Sequence, residues 1–537
     1  MNKIVSCSLA LVLLVIPMTF AEELPEYVPG EIIVKFTKDT IKSPLEANVF
    51  LQGKSSYSPK EIKPLIKKIN EKDDLAEMIG LNRTYFIRFD PDIDLITLIS
   101  DLKIYSEIEY VEPNYIFHEA IPLMPNDNYF INNYHWNFHN TGIEPTGFPG
   151  RPDADIDAPE AWGIWLGDSS AKIGIVDSGI DLDHPDLIDG LEQGYDFVDI
   201  VLEDWLALGY TLEEGEDYTV EDLEPEDFHG HGTKCAGVAV AKTNNVIGVA
   251  SVCPNCKLIP LRVAFRMRLN NIPLGLYDSV ATINAIYYAA NNDVNILSMS
   301  FTGTCTSSQD DALSYAYQHG IILIGSAGNS NMDMNTYPNS FCPASNPNVI
   351  AVAATTNTDE RWSYDATTGS NYGSRIDVAA PGNRVPTTKL GGSYSPSNSG
   401  TSMSSPHVAG MAGLILSKYS DSDLTIEQIY GLIKNSVDFW GENGMPTPDY
   451  LLGTGRINAH KAVTWDCNDG TYVNQCSNTK PKYCQLNPDF GLQLTNNCQV
   501  CGCPPNSYCS GNSCIYDGSS PIFRKTGPIT RQSIEEV

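Results

Sequence analysis

Between about residue 171 and residue 465 the apolar positions fall into two alternating kinds of run. Short, near-continuous runs read as buried strands: Ile173-Gly174-Ile175-Val176, Leu258 to Val263, Val294 to Phe301, Ile321 to Ser326 and Val349 to Ala353. Between them lie stretches with helical spacing, such as Val280 to Ala290. The alternation predicts an α/β domain, a mostly parallel sheet with helices on both faces. The ligand crevice of such a sheet lies at the carboxyl ends of its strands. Asp177, Thr302, Gly303 and Asn329 fall at such ends. One more helix is expected where Val408, Met411, Ala412, Leu414 and Ile415 follow the small residues Asn398-Ser399-Gly400-Thr401, with Ser402 at its N-terminus.

The pattern changes on either side of this region. Residues 22–120 alternate as strands at Pro29 to Phe36, Thr84 to Phe89 and Ile108 to Tyr115. A Lys-rich stretch from about Pro59 to Ile79, and Ile96 to Leu102, read as helices. Together they predict a small α+β, ferredoxin-like module. Residues 466–514 carry eight cysteines among Asn, Gly and Pro, which predicts a small module stapled by four disulfides. Residues 515–537 have no periodicity and read as a flexible tail. The domain expectation is therefore a leader at 1–21, a module at 22–120, the α/β domain at 121–465, a Cys-rich module at 466–514 and the tail.

Composition narrows the partners. A net charge of -32 over 537 residues argues against nucleic acid and against anionic membrane surfaces. Lys3, the apolar run from Leu9 to Val15 and the small residues ending at Ala21 read as a secretory signal cleaved after Ala21. The run is short for a membrane span, and no later segment reads as an anchor. A secreted monomer is expected.

Ser402 could be an ordinary helix cap, were it not for two other stretches. A hydroxyl at a helix N-terminus sits where backbone N–H groups and the helix dipole favour negative charge, which suits a serine that attacks a carbonyl. Gly174-Ile175-Val176-Asp177-Ser178-Gly179-Ile180, His229-Gly230-His231-Gly232-Thr233 and Gly400-Thr401-Ser402-Met403 occur in that order. The three resemble the signatures of the subtilisin-like serine proteases, over roughly residues 29–465. The resemblance implies a secreted serine endopeptidase acting on polypeptides through an acyl-enzyme. Ser402 would be the nucleophile, His231 the base and Asp177 the residue that orients the imidazole. His231 rather than His229 opens the motif, which leaves His229 as a loop or cap residue.

The resemblance also implies the accessory residues. Asn329 would donate its amide to the oxyanion; otherwise it is an αL turn residue. Ser300, Phe301, Thr302 and Gly303 would pair with substrate backbone, the bulk of Phe301 and Thr302 narrowing the outer subsites. Thr336 stands at the base of the first specificity pocket and would make it shallower. Asp186 and the loop at Asn244 would hold a structural calcium ion, with no cofactor needed for catalysis. The acidic stretch 199–227, longer than in subtilisin, is expected to be a solvated surface loop; the sharper alternative is a further calcium site or a preference for basic substrates.

Cys253-Pro254-Asn255-Cys256 has no second ligand pair nearby and reads as a local disulfide. Cys305 and Cys342 are expected to pair, and Cys235 to remain a buried thiol. The 22–120 module resembles the family's propeptide, which would inhibit the cleft and be cut between about Tyr115 and Pro125. The competing functional class is a secreted binding or adhesion protein working through the Cys-rich module. An esterase is disfavoured because no Gly-x-Ser-x-Gly surrounds Ser402.

Overall fold

The computed structural model describes residues 27–66, 80–115 and 121–464, apart from positions 39, 42, 55–56, 144, 146, 421–423 and 442–450, and the strand backbones at 482–487, 491–496, 507–510 and 513–516. The leader, most of the Lys-rich stretch, the side chains of the Cys-rich module and the tail lie outside the described residues. The chain divides into two compact units, Met1–Glu119 and Ala120–Val537.

The first unit is a four-stranded antiparallel sheet, with strands β1 (Tyr27–Phe36), β2 (Glu61–Pro64), β3 (Thr84–Arg88) and β4 (Ile108–Tyr115) in the order β2-β3-β1-β4. Alternate residues of β1, namely Ile32, Val34 and Phe36, enter its core with Leu98 and Leu102 of the helix Leu95–Leu102. The order is that of a ferredoxin-like fold. Two elements differ from the sequence reading. Glu61–Pro64 is an edge strand rather than part of a helix, since Pro64 has no amide proton for a helical ladder and a sheet edge tolerates it. The helix Pro44–Lys54 went unread because only Ala47 and Leu51 are buried while Leu45 and Val49 face outward.

In the second unit, where β15 (Val385–Lys389) and β16 (Ser393–Asn398) form a separate hairpin, a nine-stranded sheet runs in the order β17-β18-β14-β13-β12-β11-β5-β8-β6. Its strands are β5 (Lys172–Asp177), β6 (Tyr195–Asp196), β8 (Lys257–Arg262), β11 (Ile296–Met299), β12 (Ile322–Ser326), β13 (Val349–Thr355), β14 (Val378–Pro381), β17 (Val437–Phe439) and β18 (Gly455–Ile457). All pairs are parallel except β17–β18. Successive residues feed opposite cores, which is why the strand sequences are almost wholly apolar. Ile173 and Ile175 pack with Ile322, Ile324 and the helix Thr401–Lys418. Val176, Leu261, Leu297 and Leu323 pack with the helices Ser279–Asn291 and Ser307–Gln318. Each such side chain contributes about 1.5–3 kcal/mol by leaving water. β5 is the seventh of the nine strands, with β8 and β6 on one side and β11 onward on the other, so Asp177 ends its strand at the switch point of the strand order, where a crevice opens.

A smaller antiparallel sheet stands beside it. β9 (Ala264–Leu269) and β10 (Ile272–Tyr277) form a hairpin, and β7 (Tyr210–Leu212) adds to β9. The turn residues Asn270 and Asn271 have φ of 53° and 65°, as a two-residue hairpin loop requires. β7 belongs to the acidic stretch, which is thus partly built into the fold. Arg262 is fully buried, its guanidinium bonded to Asp196, Glu216 and the carbonyl of Asp217. The sequence reading of 199–227 as a solvated loop fails here, because a buried arginine needs carboxylate partners and this stretch supplies one of the two, Glu216, with the Asp217 carbonyl.

Cys253 pairs with Cys256 and Cys305 with Cys342. Cys235 is the free cysteine among the described residues, and it is buried. Among the described residues no helix is long and apolar enough to cross a membrane.

Candidate active site

Asp177, His231 and Ser402 come together around one sulfur atom. Cys235 Sγ lies 3.8 Å from Asp177 Oδ2, 3.8 Å from His231 Nδ1 and 3.5 Å from the Ser402 carbonyl oxygen. The three motifs therefore meet, although they are far apart along the chain.

The aspartate–histidine side is set by close backbone approach. The helix His231–Val240 begins at the histidine itself. A Cβ on Gly232 would lie 2.2 Å from the Gly179 carbonyl oxygen, so only glycine lets this helix press on the turn after Asp177. Asp227 fastens that junction. Its Oδ1 accepts from Ser178 Oγ (2.9 Å), His229 N (2.9 Å) and Gly230 N (2.7 Å), and its Oδ2 from Thr233 N (3.0 Å) and Thr233 Oγ1 (2.6 Å). An anion there also suits the helix dipole. His231 Nδ1 then lies 2.8 Å and 2.9 Å from the two Asp177 oxygens.

Burial opposes charge on the imidazole, but the Asp177 carboxylate outweighs it and holds His231 well above the ordinary histidine value. Burial likewise pushes the Asp177 carboxyl up, and attraction to His231 outweighs it, leaving Asp177 below the usual range. Cys235 adds no charge near neutral pH, because burial pushes its thiol up.

The serine side is set by a helix start and a proline. Pro406 lies inside the helix Thr401–Lys418 and has no N–H for the carbonyl four residues back, which is that of Ser402. Ser300 Oγ (3.1 Å) and Cys235 Sγ (3.5 Å) donate to that carbonyl instead. In return Ser402 Oγ donates to the Ser300 carbonyl at 3.1 Å. Asn329 Oδ1 accepts from both Thr401 N and Thr401 Oγ1, each at 2.9 Å, which orients the amide and leaves Nδ2 as the outward donor. The left-handed residue of this turn is Gly328, at φ 96°, and not Asn329.

The other expected residues are placed as follows. β11 ends at Met299, so Ser300, Phe301 and Thr302 follow it as extended chain rather than continuing the strand. Gly303 exchanges both backbone hydrogen bonds with Cys342, at 2.8 Å and 3.0 Å, so its polar groups are already used. Thr336 is exposed in a turn, its N–H bonded to the Asp333 carbonyl. The His229 ring packs against β10 at Gly275, 6.1 Å from the His231 ring. Burial, then the neighbouring His231, pushes its pKa down.

The two residues expected to hold a calcium ion, Asp186 and Asn244, are not brought together through their side chains. Asn244 Oδ1 accepts from Asn126 N, 3.2 Å away, so its side chain is used there. Asn245 is the asparagine that meets Asp186, its Nδ2 donating to Asp186 Oδ1 at 2.8 Å. Asp127, which the sequence reading missed, is fully buried, accepts from Asn244 N at 2.7 Å on one oxygen and has no partner on the other. It lies close enough to Asp186 for their charges to repel. An orphaned buried carboxylate oxygen beside a second carboxylate fits a hard divalent cation.

Tyr277 was also missed. Its hydroxyl donates to Asp177 Oδ1 at 2.9 Å and lies 3.2 Å from His231 Nδ1. Its ring stacks on Phe301, 4.7 Å between centroids at 29°.

With this geometry in hand, comparison with known proteins gives a consistent result. The sequence model of the subtilase family (peptidase S8) matches residues 168–455. Thermitase of Thermoactinomyces vulgaris is 38% identical over 314 residues, covering 58% of this chain and 94% of thermitase. A thermophilic serine proteinase of Bacillus sp. (strain AK1) is 33% identical over 365 residues, covering 67% of this chain and 73% of that protein. Among solved structures, a protease from Pseudoalteromonas arctica PAMC 21717 matches with a TM-score of 0.51 and 26% identity, over 64% of this chain and 99% of that one.

Proposed function

Because the chain belongs to the subtilase family, we propose that Asp177, His231 and Ser402 are the catalytic triad of a secreted endopeptidase made as a zymogen. The protein is a subtilisin-like serine protease, a hydrolase of peptide bonds. The observation that carries the assignment to these three residues is their convergence around Cys235, with the imidazole nitrogen against both carboxylate oxygens.

The Ser402 hydroxyl leaves the Ser300 carbonyl and turns toward His231 Nε2. As Oγ bonds to the scissile carbonyl carbon, its proton passes to the imidazole, and Asp177 steadies the imidazolium. The oxyanion is met by Asn329 Nδ2 and by the Ser402 backbone N–H. Collapse breaks the C–N bond, and His231 returns the proton to the leaving amine. Water then enters by the same route in reverse and frees the acid.

Polypeptide substrate adds along Ser300 to Thr302, and Thr336 limits the first pocket. If Thr336→Gly leaves the preference for Phe over Ala unchanged, that pocket reading is wrong. The 22–120 module acts as folding aid and inhibitor until cleavage, as its ferredoxin-like sheet supports. Asp127 and Asp186 would hold a structural calcium ion, which would supply positive charge to this pair of carboxylates and take no part in the chemistry. The deciding experiment is hydrolysis of casein and of a peptide library by the wild type and by Ser402→Ala. The wild type is expected to cut both, and the variant to cut neither and to accumulate as uncut precursor.

A further inference from the structure

The mechanism above leaves one buried polar group in the site without a task, the Tyr277 hydroxyl. We infer that Tyr277 is a positioning residue that sets the proton affinity of the Asp177–His231 pair, and that the inserted stretch 199–227 braces the hairpin that carries it. This inference rests on the triad reading.

Asp177 Oδ1 accepts three donors: Ser178 N (2.8 Å), His231 Nδ1 (2.8 Å) and the Tyr277 hydroxyl (2.9 Å). A phenol beside a carboxylate can only donate to it. Each donor draws negative charge from the oxygen, and the carboxylate then stabilises the imidazolium less. Tyr277 therefore opposes the rise in His231 basicity that Asp177 causes, and keeps a larger share of the imidazole neutral, as a base must be. It also holds the plane of the carboxylate against the imidazole. Burial and then the Asp177 charge push the phenol itself well up, so it remains a proton donor across the working range.

The other titratable groups facing the pair come from each neighbouring element. Cys235 on the histidine helix is a neutral thiol. His229 and Asp227 come from the loop before that helix, and Arg266 of β9 lies toward His229. The Asp227 oxygens are taken up by five donors of their own. None of these reaches Asp177 Oδ1 with a hydrogen bond among the described contacts, whereas Tyr277 does.

The hairpin is pinned from both directions. Asp278, next in sequence, caps the helix Ser279–Asn291 by accepting from Ala281 N at 2.8 Å. On the far side β7 pairs with β9, Tyr218 Oη donates to the Arg266 carbonyl at 2.7 Å, and Glu213 pairs with Arg268 at 2.7 Å. Glu216 closes on the buried Arg262 at the foot of the hairpin. The acidic insertion thus reaches the triad through β9 and β10.

The test uses the mature full-length enzyme and the pH profile of kcat/KM. Tyr277→Phe keeps the ring on Phe301 and is expected to move the acid limb up by about half a pH unit. It should lower kcat about twofold at the pH where the wild type is half active, with KM within about twofold. Site-specific replacement of the 277 phenol by a more acidic fluorinated tyrosine keeps the shape and strengthens the donor, so the limb should move down. A limb that stays put in both proteins, with only thermal stability changed, overturns the inference. Wild-type enzyme without peptidase activity at any pH would instead remove the triad reading on which it rests.

Discussion

The two halves of the proposed active site are held by different means. The serine half is set first by its own motif. Ser402 is placed by the start of its own helix and by a proline four residues on, to which an exchange of hydrogen bonds with Ser300, 102 residues away, is added. The aspartate–histidine half is assembled from afar: Asp227 lies 49 residues from Ser178, and Tyr277 lies 100 residues from Asp177. Local placement makes a nucleophile recognisable from a dozen residues. Placement from afar makes the proton-transfer pair depend on an insertion that bears no catalytic motif.

Substitutions can separate the two halves. Ser402→Ala should cost roughly 10⁶-fold in turnover, a magnitude carried over from subtilisin, while the fold and the precursor remain. Asn329→Leu should lower kcat by about 10²–10³ with little change in KM, because the donor meets charge that exists only in the transition state. On the other half, Asp227→Ala leaves five donors facing a void. In a Ser402→Ala background it should lose about 3 kcal/mol of unfolding free energy in denaturant titrations. If Ser300→Ala proves as destabilising as Asp227→Ala, the contrast between local and distant placement collapses.

Smaller effects sharpen the picture. Chelation should lower the melting temperature, by the equivalent of about 2.7 kcal/mol where free calcium stands at a hundred times its dissociation constant. Asp127→Asn should abolish that difference without changing the triad. The acid limb of kcat/KM should lie above the ordinary histidine value. His231 must be neutral to accept a proton, and Asp177 holds its protonated form to higher pH. The same sign applies to stability. The contribution of the raised His231 is complete below the unfolded value of 6.5 and is lost as pH rises through the folded one, while that of the lowered Asp177 is lost as pH falls through its own folded value. A profile flat down to pH 5 would argue against a carboxylate-supported imidazole.

Much of the molecule is legible in the sequence, for reasons that follow the same division. The parallel strands showed because both faces of the sheet are buried and their central positions are almost wholly apolar. The serine helix showed because its apolar residues recur at 408, 411, 412, 414 and 415 after a glycine. What was hidden depends on long-range pairing. The Asn270-Asn271 hairpin carried a readable turn signal and went unread, and with it Tyr277. Glu216 looked like one more surface acid, because nothing local announces that a buried Arg262 awaits it. Asn245 and Asp127 were missed beside Asp186, since neighbouring asparagines are alike in sequence and only the fold decides which one turns inward. Glu61–Pro64 read as helix from its lysine-rich surroundings, where the proline was the better guide.

The most direct measurement is active-site labelling of the mature protein with a serine-directed fluorophosphonate, followed by peptide mapping. The account predicts a single adduct on Ser402, absent from the His231→Ala variant although that protein remains folded. A folded, mature preparation that takes up no label, or that carries it on another residue, would contradict it.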